Sequence, residues 1–348
     1  MALQLIEGFD HEVPYGNNIL DWLYNKGWGY GGNFAGPYHY TATGRFGGLS
    51  WLQVGWNACY IWKVLPSPQN TMIVGVAFTT NPGDGPQANT GRVRFYNTIG
   101  GYCGGFFHDY GGSRKMKIVN SSDSVVATSS QVYSTNWNYA ELKMTVNGAS
   151  GSASLHMNGE EMIAPVTGNF GSSPIGMVYL WSGTSGGGGS GNQWDDMYVL
   201  DTTGSYNNDF LGDCRVETLF PSGAGSSTIW TPNSGANYAA VDEQAIDSDT
   251  TYVKSSVAGD KDMYVYDDVT EESVFGVQTC LTARKDSTNL RRVKSVARIG
   301  GVDYDSAAEH TLTTGYLVHT RLMDTDPAAA AWTAANLNAA EFGIKVST

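Results

Sequence analysis

Residues 140–162 read AELKMTVNGASGSASLHMNGEEM. Leu142, Met144 and Val146 alternate with Glu141, Lys143 and Thr145, so this run of backbone has one apolar face and one polar face. The stretch Asn147-Gly148-Ala149-Ser150-Gly151 supplies residues that accept positive φ, and Leu155 and Met157 return on the apolar side with His156 turned away. The pattern predicts an antiparallel hairpin with one face on a core and the other in water.

Similar short runs surround it. A first strand is expected near Leu3–Phe9, and Ile19, Leu20, Trp22 and Leu23 fall at near-helical spacing before Gly27, which suits a helix C-terminus. Alternating or apolar runs follow at 48–53, 58–64, 72–78, 92–96, 116–119, 139–146, 152–157 and 176–181, each bounded by Gly, Pro, Asn or Ser. Eight such strands predict a β-sandwich. The 44 glycines, 20 tyrosines and 10 tryptophans of the 348 residues fit short strands joined by tight turns.

The span WDDMYVLDTTGSYNNDFLGDCRVETLFP, Trp194–Pro221, closes this module and opens another. It places a domain boundary after residue 203, with TTGSYNND (202–209) as an exposed hinge. In 204–348 strands are expected at 214–220, 262–267, 274–283, 291–299 and 316–323. A helix is expected to end the chain, capped by Thr325 or Asp326, with Pro327 in its first turn and AAAAWTAANLNAAEF as its body before Gly343. Trp332 and Leu337 would pin it to the sheet. The chain thus reads as all-β: an N-terminal jelly-roll β-sandwich (1–203), then a β-rich domain (204–348) with a short C-terminal helix.

Charge limits the partners. With 20 Lys+Arg against 33 Asp+Glu the net charge is −13, which repels phosphate backbones and anionic lipid, so neither nucleic acid nor a membrane is expected as partner. No apolar run approaches the ~18 residues of a membrane span. The N-terminal MALQLIEGFDHEV lacks a basic segment followed by an apolar one, so synthesis in a cytoplasm is expected.

Catalytic spacings are missing as well. The four cysteines and six histidines form no CxxC, HxH or HExxH spacing, and there is no GxSxG or Walker loop. The cysteines, Cys59, Cys103, Cys214 and Cys280, read as small buried hydrophobes. Asp242, Glu243, Asp247 and Asp249 form an acidic stretch without the glycine and closing glutamate of an EF-hand, which reads as a solvated loop. Asp195 and Asp196 are neighbours in a strand, so they should face opposite ways and cannot act together as the acid and base of a glycosidase.

The order EGFD (7–10), GGLS (47–50), TMIVGVAF (71–78), WNYAELKMTV (137–146), GSASLHMNG (151–159) and WDDMYVLD (194–201) resembles a concanavalin A-like or laminin-G-like jelly roll. Continued through NNDFLGDCRVETLFPSGAGSSTIWTP (207–232) to DPAAAAWTAANLNAAEFGIKV (326–346), the chain resembles virion proteins of tailed bacteriophages. That resemblance implies a non-enzymatic head decoration or tail component, located in the virion, with other virion subunits and copies of itself as partners. A host-surface glycan is a further implied partner.

Two kinds of site follow, the first from the jelly-roll resemblance and the second from the aromatic residues themselves. An aspartate in the last strand and acids near the N-terminus hold structural calcium in similar carbohydrate-binding domains, and Asp196, Glu7 and Asp10 occupy comparable places. Backbone hydrogen bonding is the competing reading for these carboxylates, and the better supported one. Trp51, Trp56, Tyr60, Trp62 and Trp181 are candidates for a surface on which sugar C–H faces stack. Filling the core is the simpler reading of such rings. A particle-borne polysaccharide depolymerase is the alternative function; it would need two carboxylates across a cleft.

Overall fold

The computed structural model describes residues 2–10, 20–32, 39–54, 59–80, 91–109, 113–134, 136–182 and 191–348. Trp56, Gly186–Gly189 and residues 17–19 of the expected helix lie outside the described residues. The chain divides into two compact units, Met1–Glu217 and Thr218–Thr348. Among the described residues no helix is long and apolar enough to cross a membrane.

The first unit runs β1 (Leu3–Glu7), α1 (Leu20–Asn25), β2 (Trp28–Gly32), β3 (His39–Thr43), β4 (Leu49–Val54), β5 (Cys59–Gln69), β6 (Thr71–Thr80) and β7 (Gly91–Asn97). It continues through β8 (Tyr102–Asp109), β9 (Lys115–Val119), β10 (Val125–Val132), β11 (Asn138–Thr145), β12 (Gly151–Met157), β13 (Glu160–Gly168), β14 (Ile175–Ser182) and β15 (Gly191–Asp201). These pair into two antiparallel sheets. One has the order β13-β12-β11-β6-β15-β4-β3, with β1 also on β15; the other has the order β10-β9-β8-β7-β14-β5-β2. Apolar residues at every second position meet between them: Phe78 of β6 stacks on His108 of β8 at 4.7 Å and touches Tyr133 at 5.7 Å. The result is the expected sandwich. Helix α1 is followed by Gly27, whose N–H donates to the Tyr24 carbonyl at 2.8 Å and whose φ of +80° turns the chain out of the helix.

The hairpin 138–157 has the register its alternation predicts, Leu142 opposite Leu155 and Met144 opposite Ala153. Its polar face is another matter. Glu141 is 1% exposed, and β6 beside it is buried on both faces. The cover is the segment after β15: Leu211 N and Gly212 N each donate to Glu141 Oε1 at 2.9 Å, and the Tyr198 hydroxyl donates to the same oxygen. Gly75 makes room for it, since a Cβ there would lie 2.2 Å from the Tyr198 ring. Residues 204–217, assigned from sequence to the second domain and its hinge, therefore pack on the first unit as a strap. No strand forms at 214–220, because the Val216 N–H is taken by the Asp196 carboxylate at 2.7 Å rather than by a neighbouring strand.

The second unit contains β16 (Pro221–Thr228), β17 (Thr231–Pro232), β18 (Val253–Lys254), β19 (Lys261–Tyr266), β20 (Val277–Ala283), β21 (Arg292–Ile299), β22 (Val302–Asp305), β23 (His310–Thr311) and β24 (Leu317–Met323). It closes with α2 (Ala334–Asn338) and β25 (Glu341–Val346). Its main sheet has the order β16-β19-β25-β21-β22, with β23 on β21, and β20 pairs with β24 separately. Ala297, Met323, Trp332 and Phe342 form one part of its core, with Leu337 against them, so both residues expected to pin the helix do pack there. The helix is shorter than its alanine run. Its cap is Thr333, whose Oγ1 accepts from Asn336 N at 3.1 Å, not Thr325 or Asp326. Asp326 instead closes a turn by accepting from Ala330 N at 2.9 Å.

Candidate functional site

The sandwich has an aromatic face on its second sheet, pointing away from the core. In β5, β14 and β7 the residues Ile61, Val178, Leu180, Val93 and Phe95 are buried inward, which turns Tyr60, Trp62, Tyr179, Trp181, Arg92, Arg94 and Tyr96 outward. Strand register sets these in rows. Phe107, Arg92, Trp181, Tyr60 and Gly31 stand opposite one another across five strands; Arg94, Tyr179, Trp62 and Gly29 form the next row.

The rings contact one another along and between rows. Tyr60 stacks on Trp181 at 4.7 Å and Trp62 on Tyr179 at 5.5 Å. Tyr96 meets Tyr179 at 4.3 Å and Tyr102 at 5.2 Å. The Arg94 guanidinium lies 4.4 Å from the Trp181 ring and 5.0 Å from that of Tyr102. Each of these side chains is only partly buried, so the rings form a packed surface that still meets solvent. Burial raises the phenols of Tyr102 and Tyr179, so both hydroxyls are neutral, and that of Tyr102 donates to Asp123 Oδ1 at 3.3 Å. Partly exposed rings beside fixed hydroxyl and guanidinium donors are the combination that sugar C–H faces and hydroxyls require.

Three of the five aromatic candidates thus come together: Tyr60, Trp62 and Trp181. Trp51 does not. It stands opposite Trp194 on the other sheet, is 0% exposed and lies 6.2 Å from the Phe9 ring, so it is a core residue. Trp56 lies outside the described residues. Sequence reasoning missed Tyr96, Tyr102, Tyr179 and Arg94, although the same-face pairs Tyr179/Trp181 and Arg94/Tyr96 repeat the spacing of Tyr60/Trp62.

The carboxylates gather elsewhere. Asp196 has φ +50°, and the register of β15 on β6 shifts between Asp195 and Tyr198. This bulge breaks the alternation, so Asp195 and Asp196 do not face opposite ways as expected. Both meet Arg45: Asp195 Oδ2 accepts its backbone N–H at 2.8 Å, and Asp196 Oδ2 lies 3.7 Å from its guanidinium. Burial and the Asp196 charge push the Asp195 carboxyl up; burial also raises Asp196, against the opposing Val216 N–H and Arg45. Burial pushes Asp10 up to about 6, with the charges of Asp196 and Glu7 adding to it.

These residues do not fit a calcium site. Glu7 Oε1 receives the Lys26 ammonium at 2.7 Å and Oε2 the Trp28 indole N–H at 3.0 Å, so its charge and both oxygens are committed. Asp10 Oδ1 accepts Leu49 N at 2.8 Å, and Asp196 is shared between Val216 N and Arg45. Among the described residues no three His, Cys, Asp or Glu side chains are arranged to hold a metal ion. In the second unit the acidic loop is tied down rather than free: Asp249 pairs with Arg284 at 2.8 Å and accepts the Tyr316 hydroxyl at 2.7 Å. Cys103 is buried as expected, whereas Cys214 is half-buried and Cys280 exposed.

No protein-family model and no curated protein matches the chain. Among solved structures it is similar to a cellulose-induced protein at 13% identity and a TM-score of 0.39, covering 55% of this chain and 95% of that one. A carbohydrate esterase of Shiga toxin-encoding bacteriophage phi24B aligns at 9% identity and 0.38, covering 56% and 99%. A lectin from Bauhinia forficata aligns at 10% and 0.35, covering 57% and 97%.

Proposed function

We propose that this chain is a non-enzymatic structural protein of a tailed-phage particle, a head decoration or tail component, whose first unit grips host-surface glycans. The stacked pairs Tyr60–Trp181 and Trp62–Tyr179 carry the glycan part of the reading: they form a ring surface two strands wide, with hydroxyls beside it, on the outward face of the second sheet. The sequence resemblance of 207–232 and 326–346 to virion proteins supports the particle, with other virion subunits and copies of the chain as partners. Arg45 and backbone N–H groups already occupy Asp195 and Asp196, which are 4% and 2% exposed, and this supports binding without catalysis.

The test is retention of the whole protein on immobilised bacterial surface polysaccharides. Trp181→Ala and Trp62→Ala should lose at least ten-fold in affinity while melting as cooperatively as the parent, and mass spectrometry of purified particles should find the chain. Retention unchanged in both variants would overturn the glycan reading, and absence from particles the structural one. The depolymerase reading draws on the raised carboxyl of Asp195 beside Asp196. It requires release of sugar fragments by the parent protein that Asp195→Asn abolishes.

A further inference from the structure

The charge of the aromatic face runs against that of the chain. The protein carries −13, yet Arg92, Arg94 and Lys117 point out among the rings. Arg92 and Lys117 flank the Phe107 ring at 5.0 and 5.4 Å, and Arg94 is sandwiched by Trp181 and Tyr102. Lys115 extends the row along β9, opposite Asp109 in register. Among the described residues one acidic side chain reaches these guanidinium groups: Asp123, itself a turn residue with φ +58°. It is shared between Arg92 at 3.1 Å, Arg94 at 3.2 Å and the Tyr102 hydroxyl at 3.3 Å, with its own side chain 44% exposed. One carboxylate therefore serves two guanidinium groups. Arg94 also donates through Nη1 to the Tyr96 hydroxyl at 3.4 Å, whereas Arg92 meets Asp123 through Nη1 alone, so most of the Arg92 fork is not engaged by Asp123.

We infer that this face takes an acidic polysaccharide: sugar rings on the Tyr60–Trp181 and Trp62–Tyr179 stacks, and their carboxylates on Arg92, Arg94 and Lys117. The inference rests on the glycan reading above and names its ligand class. A planar carboxylate matches the guanidinium fork in two parallel hydrogen bonds, which a neutral hydroxyl cannot supply. Asp123, being exposed, holds the forks in orientation and yields part of them to a ligand carboxylate. A net positive patch on an acidic protein also steers an anionic chain to this face and away from the rest of the surface.

The experiment compares polygalacturonate with its fully methyl-esterified form, which keeps the sugar backbone and removes the charge. Hyaluronate serves as a second acidic probe, dextran as a second neutral one, and single-stranded oligothymidylate as an anionic non-glycan. With the full chain at low ionic strength, the acidic polysaccharides should bind at least ten-fold tighter than the neutral ones, and half a molar salt should abolish the difference. Arg92→Gln should bring acid and ester close to equality, and Trp181→Ala should weaken both. Equal binding of acid and ester, independent of salt, overturns the acidic class and leaves the glycan reading standing. Preference for oligothymidylate overturns the inference in favour of nucleic acid. Binding of neither acidic probe overturns it as well, and if the neutral probes also fail and Trp181→Ala changes nothing on host polysaccharide, the glycan reading falls with it.

Discussion

Gly29 lies beneath the indole of Trp62: a Cβ at residue 29 would sit 2.2 Å from the ring's Cε2 and Cζ2. Gly31 stands in the same relation to Tyr60, at 2.5 Å. Two glycines spaced by two in β2 thus let the outermost rings of the aromatic face settle over bare backbone. Gly29→Ala should displace the Trp62 ring, lower stability by about 1–3 kcal/mol as overpacking does, and weaken glycan binding more than Trp62→Phe does. Denaturant melts and retention on polysaccharide measure the two effects; a fully tolerated alanine would mean that the ring is not held against the sheet.

The strap depends on one carboxyl oxygen. Glu141 Oε1 accepts from Leu211 N, Gly212 N and Tyr198, while Oε2 is buried without a partner. Burial raises this carboxyl, which lowers the cost of a proton on Oε2. Glu141→Gln keeps the accepting oxygen and should be close to neutral. Glu141→Ala strands two partly buried N–H groups and should cost about 1–3 kcal/mol, with faster amide exchange at residues 211 and 212 as its local signature.

Sequence alternation settled the register of 140–157 because its two faces differ in chemistry at every position. It could not reveal that the polar face is covered, since the partner of Glu141 lies 70 residues further on. The Asp196 bulge was equally hidden: αL conformation in a strand is signalled by glycine, and here an aspartate adopts it, held by Val216 and Arg45. Trp51 and Trp62 look alike in sequence; which face of its sheet each side chain takes decides that one is core and the other surface. For β25 the signal was present. Phe342, Ile344 and Val346 alternate with Gly343 and Lys345, but the alanine run before them drew the helix too far.

Metal dependence separates the two readings of the N-terminal acids. With Glu7 neutralised by Lys26 and Asp196 beside Arg45, an ion has little charge left to attract it. Melting temperature should therefore be the same in excess EDTA and in millimolar calcium. An ion bound only to the folded state would raise it by mass action, so a calcium-dependent rise lost in Asp196→Asn would restore the calcium site.

Acidification should move the two units in opposite directions. In the first, Asp10, Asp195 and Asp196 titrate above the usual carboxylate value of about 4, chiefly because burial disfavours their charge. A raised carboxyl favours the folded state fully below its unfolded value and loses that contribution as pH rises through its folded value, here from about 4 to 6 and above. In the second unit His310 and His319 pack at 4.8 Å with both Nε2 atoms buried and unpartnered; burial lowers both, and His310 lowers His319 further. A lowered imidazole is the reverse case. Its contribution is complete above the ordinary histidine value of about 6.5 and is lost as pH falls through the folded value. Asp262, raised by burial, opposes this only in the carboxylate range. Calorimetry from pH 8 to pH 5 should show the transition of unit one rising and that of unit two falling. Asp195→Asn should flatten the first shift and His319→Gln the second; two transitions that move together, unaffected by either substitution, would contradict the assignment of these groups.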